Sequence, residues 1–148
     1  MTKDHFGLYS DRILALGARI PFCGRLPAPA ASAERSSPLC GSRVTVDLVA
    51  EGGRVTAFAQ EVRACALGRA SAAVLGAHVI GCSRAEICAA RDQLRAMLAA
   101  DGAPPEPPFE QLAALRPARA HESRHASILL PFEATLAALD DIPARNRG

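Results

Sequence analysis

The sequence predicts an α+β fold, a small antiparallel sheet with helices packed on one face. Three observations carry that expectation. Small apolar and polar residues alternate over 43–49 (RVTVDLV) and again over 55–65 (VTAFAQEVRAC), the period of half-buried strands. Glu51-Gly52-Gly53 separates the two runs as a hairpin turn. After residue 65 the chain turns to Ala-rich helical stretches broken by Gly and Pro, and strands early with helices late argue α+β.

The elements follow in order. Residues 9–19 (YSDRILALGAR) read as a short amphipathic helix, with Ser10 as N-cap and Ile13, Leu14 and Leu16 as its apolar positions. Residues 21–38 are rich in Pro, Ala and Ser, which predicts loop or a weak edge strand. Within the second strand of the hairpin, Val55, Ala57 and Ala59 alternate in one phase and Val62 and Ala64 in the other; that slip predicts a bulge between them. Residues 66–79 should form a helix that begins directly after Cys65. Ser83 with Glu86 makes a capping box for another helix to about Ala100, with Ile87, Leu94, Met97 and Leu98 inward and Asp101-Gly102 as its stop. Residues 103–108 (APPEPP) predict a stiff loop, 109–115 a short helix and 117–123 a connector. A last helix over 126–139 contains Pro131, which suits a first turn better than an interior.

At 148 residues the expectation is one domain, 1–148, ending in a flexible polar tail from 140. A net charge of +2, with no basic run interleaved with aromatics, argues against nucleic acid as a partner. The N-terminal Met-Thr-Lys-Asp-His lacks an apolar signal region and no stretch reaches membrane-spanning length, so the expectation is a cytoplasmic protein without a membrane partner. Five cysteines, an odd number, are then free thiols that pack as small hydrophobes or serve metal or sulfur chemistry.

Cys40, Cys65 and His125 are the candidate cofactor-binding and metal-ligating residues. Thiolates and a neutral imidazole are the donors that zinc and iron–sulfur clusters favour. Cys40 precedes the first strand of the hairpin and Cys65 ends the second, so antiparallel pairing brings them to the same edge of the sheet. Cys65 also stands at a helix N-terminus, where the macrodipole and free N–H groups favour a thiolate.

The order of these features resembles the U-type iron–sulfur scaffold family, that of IscU, SufU and the N-terminal domain of NifU. The resemblance runs over residues 8–139. It rests on a Tyr-Ser helix, Cys40-Gly41-Ser42 opening the hairpin, the Gly-Gly turn, Cys65 opening a small-residue helix, and His125-Ala126-Ser127-Ile128-Leu129 opening the last helix. It implies an α+β scaffold whose ligands cluster at one exposed end. There an iron–sulfur cluster, or iron, is assembled with sulfur from a cysteine desulfurase and passed to acceptor apo-proteins or cluster carriers. The family's first motif is Cys-Gly-Asp; here Ser42 replaces the aspartate. Its third motif, in IscU-like members, is His-Cys-Ser; here Ala126 replaces the cysteine that is the preferred sulfur acceptor, leaving Cys40 or Cys65 for that role.

A Cys₂His site remains, with an open fourth position that suits zinc with an exogenous ligand or a cluster completed by a partner's thiol. The resemblance thus implies a scaffold that is not itself an enzyme. Two alternatives are a zinc-binding sulfur acceptor that activates a desulfurase, and a metal-free adaptor of the assembly machinery. Glu122, His121 and Cys23 are further local donors. Cys82 and Cys88 read as core packing, and His5, His78 and His121 as core or surface residues. Arg69 and Arg124 flank the expected site.

Overall fold

A computed structural model describes residues 11–37 and 41–142. Helix α1 (Asp11–Ala18) is followed by strands β1 (Ala31–Ser37), β2 (Ser42–Glu51) and β3 (Arg54–Arg63). Helices α2 (Ala66–His78), α3 (Arg84–Ala100) and α4 (His125–Asp140) complete the fold, with 3₁₀ helices at Glu110–Ala120 and Glu122–Arg124 between α3 and α4. The strands form one antiparallel sheet in the order β1-β2-β3. The expected α+β class holds.

Gly52 and Gly53 have φ of 60° and 78°. Two consecutive positive φ values define the turn whose twist suits a two-residue hairpin, and only glycine enters that region without strain. The register pairs Val44 with Val62, Val46 with Gln60 and Leu48 with Phe58 on the helix-facing side. The bulge does lie in β3, but at Thr56, the extra residue opposite Val49 and Ala50 of β2, rather than within residues 59–62 as the alternation suggests. Phe58, Ala59 and Gln60 are buried in succession because both faces of β3 are covered there, which blurs the period-2 pattern.

The Ser-rich segment 31–37 becomes edge strand β1, its whole length paired with β2. Helix α4 lies against β1, β2, α2 and α3. Its buried residues include Ile128, Leu130, Phe132, Ala134, Leu136, Ala138 and Leu139, the composition of a helix enclosed on most sides. Pro131 is its seventh residue, not a first-turn residue, and is itself buried. Phe132 packs edge-on against Phe109 at a centroid distance of 5.7 Å, which joins α4 to the loop after α3.

Other expectations need correction. In α1, Leu14 is 49% exposed while Ile13 and Gly17 are buried. The helix meets α2 at Gly17, where a Cβ would lie 3.0 Å from Arg69 Cβ, so close approach rather than a leucine stripe sets that contact. Residues 117–123 are largely 3₁₀ helix rather than connector, a geometry with three residues per turn and so no 3.6-residue signature. Beyond Asp140, Ile142 is 1% exposed and belongs to the core. The expected N-cap Ser10, His5 and the residues from 143 onward lie outside the described residues.

Elsewhere the capping chemistry is as expected. Ser83 Oγ accepts from the Glu86 N–H at 3.2 Å, and the Glu86 carboxylate accepts from the Ser83 N–H at 2.8 Å. Asp101 closes α3 in a left-handed conformation. No helix among the described residues is long and apolar enough to cross a membrane.

Candidate functional site

Three separate stretches of chain converge where β2 begins, β3 ends and α4 starts. Antiparallel pairing matches Arg43 with Arg63, so the start of β2 and the end of β3 lie side by side. The chain leaves β3, passes Ala64, and enters α2 with Cys65 as N-cap in extended conformation. The Cys65 side chain does not cap its own helix; its carbonyl accepts from the Arg69 N–H at 2.9 Å. The thiol is half-buried and free to interact elsewhere.

It meets α4. Cys65 Sγ lies 3.7 Å from Ser127 Oγ, and Ser127 Oγ lies 2.9 Å from Ser42 Oγ. Both serines are buried, at 2% exposure for Ser42 and 0% for Ser127. Ser37 faces Ser42 across the β1–β2 pairing and is also buried, with no hydrogen-bond partner for its hydroxyl among the described residues. The convergence needs Gly68: a Cβ there would come within 2.7 Å of both Ser127 Oγ and Ala64 Cβ. A hydrogen bond from Ser71 Oγ to the Ile128 carbonyl at 2.6 Å fixes the same crossing of α2 and α4 one turn further on.

His125 is the first residue of α4. Its Nε2 lies 3.0 Å from the Ala118 carbonyl oxygen. A carbonyl only accepts, so Nε2 carries a proton, and in the neutral ring Nδ1 then holds the lone pair. Cys40 lies outside the described residues. Among the described residues, no three His, Cys, Asp or Glu side chains converge as a metal cage.

The remaining candidates are placed elsewhere or engaged otherwise. Cys23 is exposed, bridges to Gln60 in the middle of β3, and donates its thiol to the Ile20 carbonyl at 3.2 Å; it does not fold over the start of α2. Cys82 is buried and donates to the His78 carbonyl at 3.2 Å; burial, then the charge of Glu86, pushes its thiol pKa up. Cys88 is partly buried beside Arg91, whose guanidinium lies 3.6 Å from the sulfur. His78 stacks edge-on with Phe109. Glu122 is exposed and His121 partly so, both around the short 3₁₀ turn before α4. Arg69 donates to the Gly17 carbonyl at 3.0 Å, which ties it to α1.

Sequence reasoning gave Ser42 and Ser127 motif positions but not their bond to each other, because no local pattern links residues 85 apart. Gly68 was missed for the same reason, although a glycine inside an Ala-rich helix is a usable signal of close approach.

The end of the sheet in this small α+β protein thus brings a half-buried cysteine at the start of α2 against two buried hydroxyls, one from β2 and one from α4. No protein-family model matches the sequence, and no curated protein matches it. Solved structures do. A nitrogen-fixing NifU-like protein (N-terminal) from Brucella abortus superposes with a TM-score of 0.90 at 43% identity, covering 92% of this chain and 94% of that one. At 21% identity, a candidate iron–sulfur cluster assembly scaffold protein for the SUF system from Fervidobacterium islandicum superposes with a TM-score of 0.80, covering 88% of this chain and 96% of that one. A third structure, described only as a hypothetical protein, has a TM-score of 0.72 at 20% identity over 88% of this chain and 96% of its own. The two more distant structures share the fold. At the identity and coverage of the Brucella protein, the chain belongs to the U-type iron–sulfur scaffold family, as a NifU N-terminal-like member.

Proposed function

We propose that this protein is an iron–sulfur cluster assembly scaffold or a carrier descended from one, working in the cytoplasm. It binds iron or a nascent cluster as its cargo through Cys40, Cys65 and His125, and takes sulfur from a cysteine desulfurase. The observation that carries the reading is the meeting of Cys65 with Ser127 and, through it, with Ser42: three family-motif positions from distant parts of the chain share one end of the sheet. The relatives support it, one being named NifU-like and another a candidate scaffold for the SUF system.

The chemistry of each donor fits. Cys65 presents its half-buried sulfur at the start of α2, against the Ser127 hydroxyl rather than on its own helix's N–H groups. His125 has Nδ1 available as a lone-pair donor, with Nε2–H held by the Ala118 carbonyl, the outer-shell arrangement that fixes a ligating imidazole. Ser42 stands where the family has an aspartate, and Ala126 where it has the third cysteine. The site therefore carries fewer fixed negative charges than the family pattern, and cluster completion needs an exogenous thiolate from a partner or small molecule.

Anaerobic reconstitution with ferrous iron and sulfide tests this. Sulfide-to-iron charge-transfer absorption and acid-labile sulfide should develop in the wild-type chain. Both should fall to background in Cys65→Ala and Cys40→Ala. Full cluster retention in the double variant would refute the ligand assignment. Zinc that co-purifies stoichiometrically and resists exchange by iron would favour the zinc-binding sulfur acceptor instead.

A further inference from the structure

We infer that Ser127, oriented by Ser42, is the positioning residue for the sulfur of Cys65, donating a hydrogen bond to it when that sulfur holds metal. The inference rests on the reading of Cys65 as a ligand and extends it to residues that bind nothing directly.

The geometry is specific. Ser127 is the third residue of α4, yet its hydroxyl is directed away from its own helix toward two other elements. One neighbour is Ser42 Oγ at 2.9 Å, the other Cys65 Sγ at 3.7 Å, within reach of a hydrogen bond to sulfur. Ser127 is fully buried, so water does not compete for its hydroxyl. The absent Cβ at Gly68 and the bond from Ser71 to the Ile128 carbonyl hold the start of α4 against α2, so the hydroxyl is fixed by backbone packing rather than by its own rotamer.

A chain of three such groups has two consistent polarities. With a neutral thiol, Cys65 S–H donates to Ser127, and Ser127 donates to Ser42. With a metal-bound thiolate the sulfur only accepts. Ser127 must then turn its proton toward Cys65, and Ser42 in turn donates to Ser127. On metal binding the Cys65 S–H bond gives way to a sulfur–metal bond and its proton passes to solvent; neither serine loses its proton, and the two hydroxyl rotors reverse. Each arrangement keeps the buried hydroxyls engaged, which an alanine at either position cannot do. A hydrogen bond to a ligating thiolate withdraws electron density from sulfur and stabilises its lone pairs. It therefore moves the sulfur-to-metal charge-transfer band to higher energy.

Cobalt(II) is the probe, because its thiolate charge-transfer band reads the sulfur directly and requires neither sulfide nor a partner. Wild-type protein titrated anaerobically with cobalt(II) should show a near-ultraviolet band, part of which is lost in Cys65→Ala. In Ser127→Ala that Cys65-dependent component should shift to longer wavelength, with cobalt binding weakened by about tenfold, the low end for loss of an outer-shell partner. Ser127→Thr, which keeps a hydroxyl, should restore the wild-type wavelength, and Ser42→Ala should shift it in the same direction as Ser127→Ala. A change of packing alone would alter thermal stability without moving the band, so unfolding curves are recorded for each variant. A Cys65-dependent band at the same wavelength in wild type and Ser127→Ala overturns the inference while leaving Cys65 a ligand. A cobalt spectrum unaffected by Cys65→Ala overturns the ligand reading, and the inference with it.

Discussion

Ser42 Oγ lies 2.9 Å from Ser127 Oγ, a bond between the first residue of β2 and the first turn of α4. The pair occupies two positions at which the family motifs carry polar residues. A third such position, Ala126, is exposed. That difference in burial separates the two departures from the family pattern.

Restoring the family residues should have opposite consequences. Ala126→Cys places a thiol on the surface of α4 and should change stability by no more than about 0.5 kcal/mol. It should also become the preferred sulfur acceptor, read as a persulfide at residue 126 by mass spectrometry after incubation with desulfurase and cysteine. Ser42→Asp puts a carboxylate at a site 2% exposed and should cost roughly 1–3 kcal/mol in the absence of metal. Zinc or cobalt should recover part of that loss, seen as a metal-dependent rise in melting temperature larger than in the wild type.

Gly68 gives a test free of any metal. An alanine in place of glycine inside a helix normally gains about 1 kcal/mol. Here the added methyl would sit 2.7 Å from Ser127 Oγ and from Ala64 Cβ. Overpacking of this kind costs typically 1–3 kcal/mol. Gly68→Ala should therefore lower stability in denaturant titration, whereas Ala66→Gly, at a half-buried position in the first turn of the same helix, removes only a methyl and costs about 1 kcal/mol. A stabilised Gly68→Ala would show that α4 does not press on α2 at this point.

Much of the scaffold was legible from local chemistry. The capping box at Ser83 and Glu86, the Gly-Gly hairpin and the inward set Ile87, Leu94, Met97 and Leu98 all depend on residues within a few positions of one another. What was not legible depends on neighbours brought from afar. Segment 31–37 contains no strongly strand-forming residue and is a strand because β2 offers it a partner. Asp47 sits on the outward face of β2, where alternation predicts exposure, yet its side chain is fully buried because the segment at Arg25 and Leu26 closes over it. At the site, Cys65 and His125 were readable as donors, but the hydroxyls that join Cys65 to β2 belong to the tertiary fold.

Thiol reactivity should rank by burial. Cys23 is exposed, whereas Cys82 is 5% exposed and bonded to the His78 carbonyl. Burial, reinforced by Glu86, raises the Cys82 pKa and lowers its thiolate fraction at neutral pH. Native-state alkylation by iodoacetamide at pH 7.5 should modify Cys23 at least about a hundredfold faster than Cys82, which opens only by unfolding. Peptide mapping against time checks the order; comparable rates would mean that the loop before α3 is open in solution.

Asp47 should make the stability of the fold depend on acid pH. Its carboxylate accepts from Arg25 Nε at 2.7 Å and Arg25 Nη2 at 2.9 Å, from the Leu26 N–H at 3.0 Å and from Ser32 Oγ at 2.6 Å. The bond from Arg25, then those from Ser32 and the Leu26 N–H, hold its pKa below the ordinary value of 3.8 against the opposing effect of burial. The unfolded chain therefore binds the proton more readily than the folded one. The stabilisation is fully present above the unfolded value, and it is lost as pH falls through the folded one. Asp47→Asn removes the charge and should cost about 2 kcal/mol at pH 7, the scale of a hydrogen bond to a charged group. It should also flatten the stability curve below about pH 4, where the wild type approaches the variant. Urea titrations of both proteins at pH 7, 5 and 3.5 check this, and a gap that stayed constant over that range would show that Asp47 is not the group that titrates.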